Sequence, residues 1–287
     1  LMVQQAFEAD ADLTIASLPV GQNEASRYGL LNVNSKGSIT DFVEKPSDTN
    51  TLKNFEVPET FLEQYDLRTS NPPSYLASMG IYVFKKRTLI DLLKTNPGND
   101  FGKDLIPYQL KRGKSLAFIY QGYWEDIGTI KSYYEANLSL TTNDLGLDLY
   151  NEVLPIYAHN HYLPGARLTD TQIINTIICD GTIIDAKEIR NSIIGVRSII
   201  KRNTTISDSL LLGNTSYNST LDPTIEYTIG ENCQIHKAII DQNVIIGDNV
   251  KLVNRDNLET YDSKEITIRN GIIVIKKGSK IPNGFVL

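Results

Sequence analysis

Residues 191–212 read Asn-Ser-Ile-Ile-Gly-Val-Arg-Ser-Ile-Ile-Lys-Arg-Asn-Thr-Thr-Ile-Ser-Asp-Ser-Leu-Leu-Leu, so Ile194, Ile200, Ile206 and Leu212 recur at every sixth position. A half-buried strand of an antiparallel sandwich alternates with a period of two, which this run does not follow. A period of six is that of a coil with three short sides, each turning one apolar side chain into a core shared with the coils above and below. The same step links Ile178 to Ile184, Ile229 to Ile235 and Ile240 to Ile246. Between these positions stand Asp180-Gly181, Asn203, Gly230-Glu231-Asn232 and Gly247-Asp248-Asn249, residue types that suit tight corners. The spacing predicts a parallel β-helix over 168–287, interrupted by a loop at 213–226.

Upstream the periodicity changes. A helix ending near Ala11 is followed by an apolar strand at 13–18. A hairpin pair comes next, 29–34 and 38–44, turning at Ser35-Lys36-Gly37, where glycine supplies the needed backbone freedom. A short helix near 59–65, a strand at 76–84 and a helix at 86–95 follow, then a helix at 103–111 capped by 99–102. A strand at 116–121 and a helix at 130–138 complete the series, which reads as an α/β domain over 1–149. The chain opens inside a βαβ unit, and no Gly-rich phosphate loop occurs among its residues. The expectation is therefore an incomplete Rossmann-like domain, as in a fragment or a truncated gene product. Residues 150–167, with two prolines and several aromatics, read as a linker packed between the halves.

Composition narrows the function. The 287 residues are 41% hydrophobic and 22% charged, an ordinary globular balance. No apolar run approaches the roughly 18 residues that span a bilayer, and the first eleven residues lack the zones of a secretory signal. A cytoplasmic setting, or a plastid in a plant, is the default, without membrane association. The net charge of -6 argues against a nucleic-acid partner. Cys179 and Cys233 have no metal-like spacing and read as buried structural thiols, and the three histidines form no ligand motif.

Candidate chemistry concentrates at Tyr123-Trp124-Glu125-Asp126-Ile127-Gly128-Thr129, where two carboxylates stand between the only tryptophan and a Gly-Thr turn. Taken alone, such an acidic pair is more often a solvated turn; placed after a strand, it reads as a metal-binding strand end. Trp124 reads as a core or pocket-wall residue. Glu44-Lys45-Pro46 ends another strand with a carboxylate beside an ammonium.

These segments carry a resemblance. Phe42 to Pro46, Ala77 to Val83, Asn99-Asp100-Phe101-Gly102, Tyr123 to Thr129, Ser192 to Ser198 and Ile239 to Asn243 resemble glucose-1-phosphate adenylyltransferases, also called ADP-glucose pyrophosphorylases, of the bacterial and plant type. Phe-x-Glu-Lys-Pro marks the wider sugar-nucleotidyltransferase group, and the Ser-Met-Gly-Ile-Tyr and Tyr-Trp-Glu-Asp-Ile-Gly-Thr segments point to the ADP-glucose branch. The resemblance implies a left-handed β-helix and a reaction joining ATP to glucose 1-phosphate for glycogen or starch synthesis. It implies that Lys45 holds the sugar phosphate, that Gly29, Glu44 and Ser78 contact the sugar, and that Asp126 is one of two aspartates holding Mg²⁺. It further implies a homo- or heterotetramer, with a small anionic effector near Arg197 and Lys277. Gln242 departs from the lysine of regulated relatives, and Lys237, Lys276 and Arg202 are candidate substitutes for that charge. The second metal aspartate and the Gly-rich loop with its arginine are not among these residues, so this chain alone is expected not to turn over.

Other readings are a non-catalytic regulatory subunit of the same tetramer, a hexapeptide-repeat acyltransferase using His236, and an enzyme for UDP-glucose or dTDP-glucose. Lys45 and Asp126 oppose the first, the absence of a sequence partner for His236 opposes the second, and the ADP-glucose-type segments disfavour the third.

Overall fold

A mixed five-stranded sheet organises residues 1–122. In chain order its elements are α1 (Met2–Glu8), β1 (Leu13–Gly21), α2 (Gln22–Ala25), β2 (Gly29–Val33), β3 (Ile39–Glu44), α3 (Thr49–Asn54), α4 (Glu59–Gln64), β4 (Ser74–Phe84), α5 (Lys86–Thr95), α6 (Ile106–Leu110) and β5 (Ser115–Ile119). The strand order is β3-β2-β4-β1-β5, with β1 parallel to β5 and antiparallel to β4. The computed structural model describes residues 1–67, 73–142, 147–153, 155–217 and 228–287. The chain divides into two compact units, Leu1–Gly122 and Tyr123–Leu287.

Burial explains the order of the sheet. Leu13, Thr14, Ile15, Ala16 and Ser17 of β1 are all buried, as a strand covered on both faces requires. Leu13, Ile15, Leu31, Phe42, Phe61, Leu76 and Ile106 form the core of this unit, each large side chain contributing about 1.5–3 kcal/mol on full burial. Helix α3 has no counterpart in the sequence reading. Its signal is Asp48, whose carboxylate accepts from the N–H groups of Asn50 (3.1 Å) and Thr51 (2.9 Å) as an N-cap. Helix α5 follows the expected bounds, but of its leucines only Leu92 is buried, and Leu93 is 55% exposed.

The helix read over 103–111 is instead a π turn at Phe101–Leu105 that runs into α6. Asp100 caps it by accepting from Lys103 N at 2.9 Å, and the Ile106 N–H reaches back to the Phe101 carbonyl. Pro107, at the start of α6, has no N–H, so the ordinary α bond to the Lys103 carbonyl cannot form there.

The second unit is a three-sided coil stack. On one side Ile173, Ile189, Ile206, Ile235 and Leu252 lie in parallel register. Ile178, Ile194, Leu211, Ile240 and Ile275 do so on the second. Leu168, Ile184, Ile200, Ile229, Ile246 and Ile281 do so on the third. These columns form most of one continuous core.

The six-residue step holds from the second side to the third; from the third to the first it is five at Leu168 to Ile173 and Ile184 to Ile189 and six from Ile200, Ile229 and Ile246 onward, and it shortens to five between the first and second sides. There Asn175, Asn191, Asp208 and Lys237 take the left-handed backbone, with φ of 45, 46, 47 and 52°, and asparagine and aspartate tolerate that region best among residues with a side chain. The short corner corrects one expectation. Leu211 rather than Leu212 points inward, at 1% exposure, and Leu212 belongs to a separate cluster outside the coil.

That outer cluster is built around helix α7 (Ile130–Ser139). Tyr134 packs there with Ile193, Leu210, Ile239 and Ile272, so α7, read as part of the α/β domain, lies against the β-helix within the second unit. Residues 218–227, most of the expected 213–226 loop, lie outside the described residues. A second insertion, unforeseen, forms an antiparallel hairpin of Thr260–Asp262 and Ile266–Arg269, which continues antiparallel into Ile272–Ile275. In the 150–167 linker Tyr150, Tyr157 and Tyr162 are about nine-tenths exposed rather than packed. Among the described residues no helix is long and apolar enough to cross a membrane.

Candidate functional site

The β2/β3 hairpin sets the first group of candidates in place. Gly29 and Glu44 are direct partners across its antiparallel register. Gly29 is buried, Glu44 half-buried, and Lys45 exposed just beyond the strand. The Lys45 N–H donates to the Tyr28 carbonyl at 3.1 Å, and the Lys45 backbone has φ of 46°. Pro46 already disfavours the right-handed helical region for its predecessor. A left-handed lysine costs about 1–2 kcal/mol beyond that, and strain of this kind at the end of a hairpin directs attention to the residue that bears it.

The Glu44 carboxylate rests over two bare backbones. A methyl group on Gly29 would stand 2.8 Å from Glu44 Oε2 and 2.5 Å from the Phe42 ring, and one on Gly102 would overlap the same carboxylate oxygen. Burial pushes the Tyr82 phenol up, the nearby Ser78 hydroxyl opposes this, and the negative charges of Glu44 and Asp100 add to the rise. The Tyr82 ring stacks on Phe101 at 5.7 Å between centroids and 9° between planes. Ser78, 8% exposed, accepts from Gly80 N at 3.3 Å.

The structure thus brings Glu44 and Ser78 near Tyr82 and sets Gly29 against Glu44. It adds Tyr82, Asp100, Phe101 and Gly102, which the sequence reading assigned no role. Their signal was present in the Ser-Met-Gly-Ile-Tyr and Asn-Asp-Phe-Gly segments. The group offers carboxylates, hydroxyls and an aromatic wall, with the cationic Lys45 next in the chain after Glu44.

Tyr123 to Thr129 belongs to the second unit and corrects another expectation. It is not a strand end: β5 stops at Ile119, and 123–128 has no sheet partner. It leads into the capped start of the following helix. Thr129 Oγ1 accepts from Ser132 N at 3.0 Å and Ser132 Oγ accepts from Thr129 N at 3.1 Å, a reciprocal cap on α7. Asp126, half-buried, accepts at Oδ1 from Gly128 N at 3.2 Å. Its hard carboxylate oxygens suit Mg²⁺, which takes one or two carboxylates and keeps several waters. Among the described residues no group of three or more His, Cys, Asp or Glu forms a metal cluster.

Arg197 and Lys277 fall on one corner of the coil stack. The backbone bonds Asn214 N to Val196 O, Asn243 N to Gly213 O and Gly278 N to Gln242 O step along that corner from coil to coil. Lys277 is thereby in register with Gln242, Gly213 and Val196, and Arg197 is one position further along, so at the usual strand spacing the two share a corner roughly 14 Å apart. Arg197 Nη1 donates to the Asn214 carbonyl at 3.3 Å, and Lys277 is exposed. The candidate substitutes for the missing charge at Gln242 have partners elsewhere: Lys237 Nζ with the Asn270 carbonyl, Lys276 Nζ with the Ser263 carbonyl, and Arg202 with Glu231.

His236, without a partner evident in sequence, has Ser207 Oγ at 2.9 Å and Asp208 Oδ2 at 3.3 Å from its Nδ1. Both cysteines are free thiols, Cys233 buried and Cys179 half-buried, and burial pushes both thiols up.

Two family models match the chain, the first running past Gly122 into the second unit. Residues 1–143 match the family model described as nucleotidyl transferase. Residues 161–286 match that of the GLGC left-handed parallel beta-helix domain.

Proposed function

We propose that this chain, a nucleotidyl transferase domain followed by a left-handed β-helix of the GLGC kind, serves a glucose-1-phosphate adenylyltransferase and contributes the sugar-phosphate side of its site. The reaction is ATP plus α-D-glucose 1-phosphate to ADP-glucose plus diphosphate, feeding glycogen or starch synthesis. The observation that carries the reading is the seat of Glu44 between Gly29 and Gly102, with Lys45 next in the chain. One dipeptide thereby presents an acceptor for hydroxyls beside a cation for phosphate.

In this reaction a phosphate oxygen of glucose 1-phosphate attacks the α-phosphorus of ATP in line, and diphosphate leaves. Positioning and charge neutralisation supply the catalysis. Lys45 holds the sugar phosphate as a compact point charge, Glu44 and Ser78 take hydroxyls, and Gly29 lets the hexose approach the backbone. Asp126 would hold Mg²⁺, which when bound neutralises phosphate oxygens. Arg197 and Lys277 would pair with the oxygens of a small anionic effector, in a tetramer working in the cytoplasm or a plastid.

Ligand-observed NMR tests the substrate class. With glucose 1-phosphate, galactose 1-phosphate and mannose 1-phosphate in one sample, saturation should pass preferentially to the glucose ester. Equal transfer to all three would overturn the reading.

A further inference from the structure

We infer that Gly102 is a positioning residue: with Gly29 it forms a slot that sets where the Glu44 carboxylate sits, and so how a hexose hydroxyl is recognised. The ligand in this statement rests on the sugar-phosphate reading, whereas the slot rests on geometry alone.

Neither glycine is demanded by its own backbone, since neither is among the glycines with positive φ. What each lacks is room for a side chain. A Cβ at Gly102 would overlap Glu44 Oε2 and lie 2.8 Å from Cδ and 3.2 Å from Cγ, while one at Gly29 would meet the same oxygen and the Phe42 ring. The two walls have independent origins. Gly29 is the cross-strand partner of Glu44, and Gly102 is the second residue of the π turn ahead of α6. The turn that brings Gly102 over the carboxylate also stacks Phe101 on Tyr82. Because Glu44 is held at its flexible end, a methyl group at position 102 should move the carboxylate and leave the strand in place.

The test combines Gly102→Ala, Glu44→Asp and the double variant, with affinities for glucose 1-phosphate and inorganic phosphate measured by calorimetry. Inorganic phosphate reports on Lys45 without the sugar. Gly102→Ala should weaken glucose 1-phosphate by about tenfold, the scale of hydrogen bonds to a charged group, and leave inorganic phosphate unchanged. Aspartate is one methylene shorter and clears the added methyl, so the double variant should bind more tightly than the two single losses combined predict. Strictly additive losses, or wild-type affinity in Gly102→Ala, would overturn the inference. If the wild-type chain failed to bind glucose 1-phosphate, the sugar-phosphate reading would fall. The slot would then be decided by the ¹³C resonance of the Glu44 carboxyl, which moves in Gly102→Ala if the slot exists and stays if it does not.

Discussion

Tyr134 Oη donates to the main-chain carbonyl of Asp208 at 2.6 Å, joining helix α7 to the short corner of the β-helix. Asp208 holds the left-handed backbone of that corner and accepts from Asn191 Nδ2 at 3.1 Å. Four residues before α7 begins stands Asp126. The carboxylate proposed for the metal is therefore anchored, through the Thr129 cap and α7, on the stack that carries Arg197 and Lys277.

Removing the hydroxyl alone tests this anchor. Tyr134→Phe should destabilise the second unit by about 1 kcal/mol, and Tyr134→Ala by about 3–5 kcal/mol, the usual cost of deleting a buried aromatic ring. Thermal unfolding measures both. Burial pushes the Tyr134 phenol well above its ordinary range, with the charges of Asp208 and Glu135 adding to the rise. A raised folded pKa means that its contribution is complete below the unfolded value of about 10 and is lost as pH rises beyond it. Spectrophotometric titration should find this tyrosine still un-ionised where exposed ones have titrated.

The β-helix was legible because its period is a property of the chain: side chains that face a common core must recur once per side. The five-residue corner was not legible, since Asn191 and Asp208 look like any polar turn residues until their backbones are known. It displaced the inward position from Leu212 to Leu211. Gly29, Glu44, Lys45 and Ser78 are candidates that the family resemblance implies, whereas the contact of Gly102 with Glu44 depends on a π turn that no periodicity announces. The Tyr123–Thr129 segment reads as a strand end because a strand precedes it, but β5 stops at Ile119.

The corner gives a sharp comparison. Leu211→Ala should cost about 2–5 kcal/mol as a cavity in the shared core, and Leu212→Ala distinctly less, because Leu212 is only half-buried outside the coil. Urea unfolding of the two variants side by side would detect the reverse order, which an unbroken six-residue step requires.

Asp12 predicts an acid-sensitive joint in the first unit. Burial pushes its carboxyl up, but the Lys114 N–H at 3.0 Å, the Lys85 ammonium at 3.4 Å and the Thr88 hydroxyl at 3.3 Å outweigh it and hold the group below the usual range. A lowered folded pKa gives stability that is present above the unfolded value of about 3.9 and is lost as pH falls through the folded one. Asp12→Asn should therefore cost about 1 kcal/mol at neutral pH and progressively less below pH 4. A urea-midpoint series against pH measures the difference.

The central claim is that Lys45 receives the phosphate of a hexose 1-phosphate. Calorimetric titration of glucose 1-phosphate into wild type and Lys45→Ala tests it most directly. The account predicts a loss of at least about tenfold in affinity, the scale of one ionic hydrogen bond to phosphate, with unchanged thermal stability because Lys45 is exposed. Equal affinity in the two proteins would contradict it.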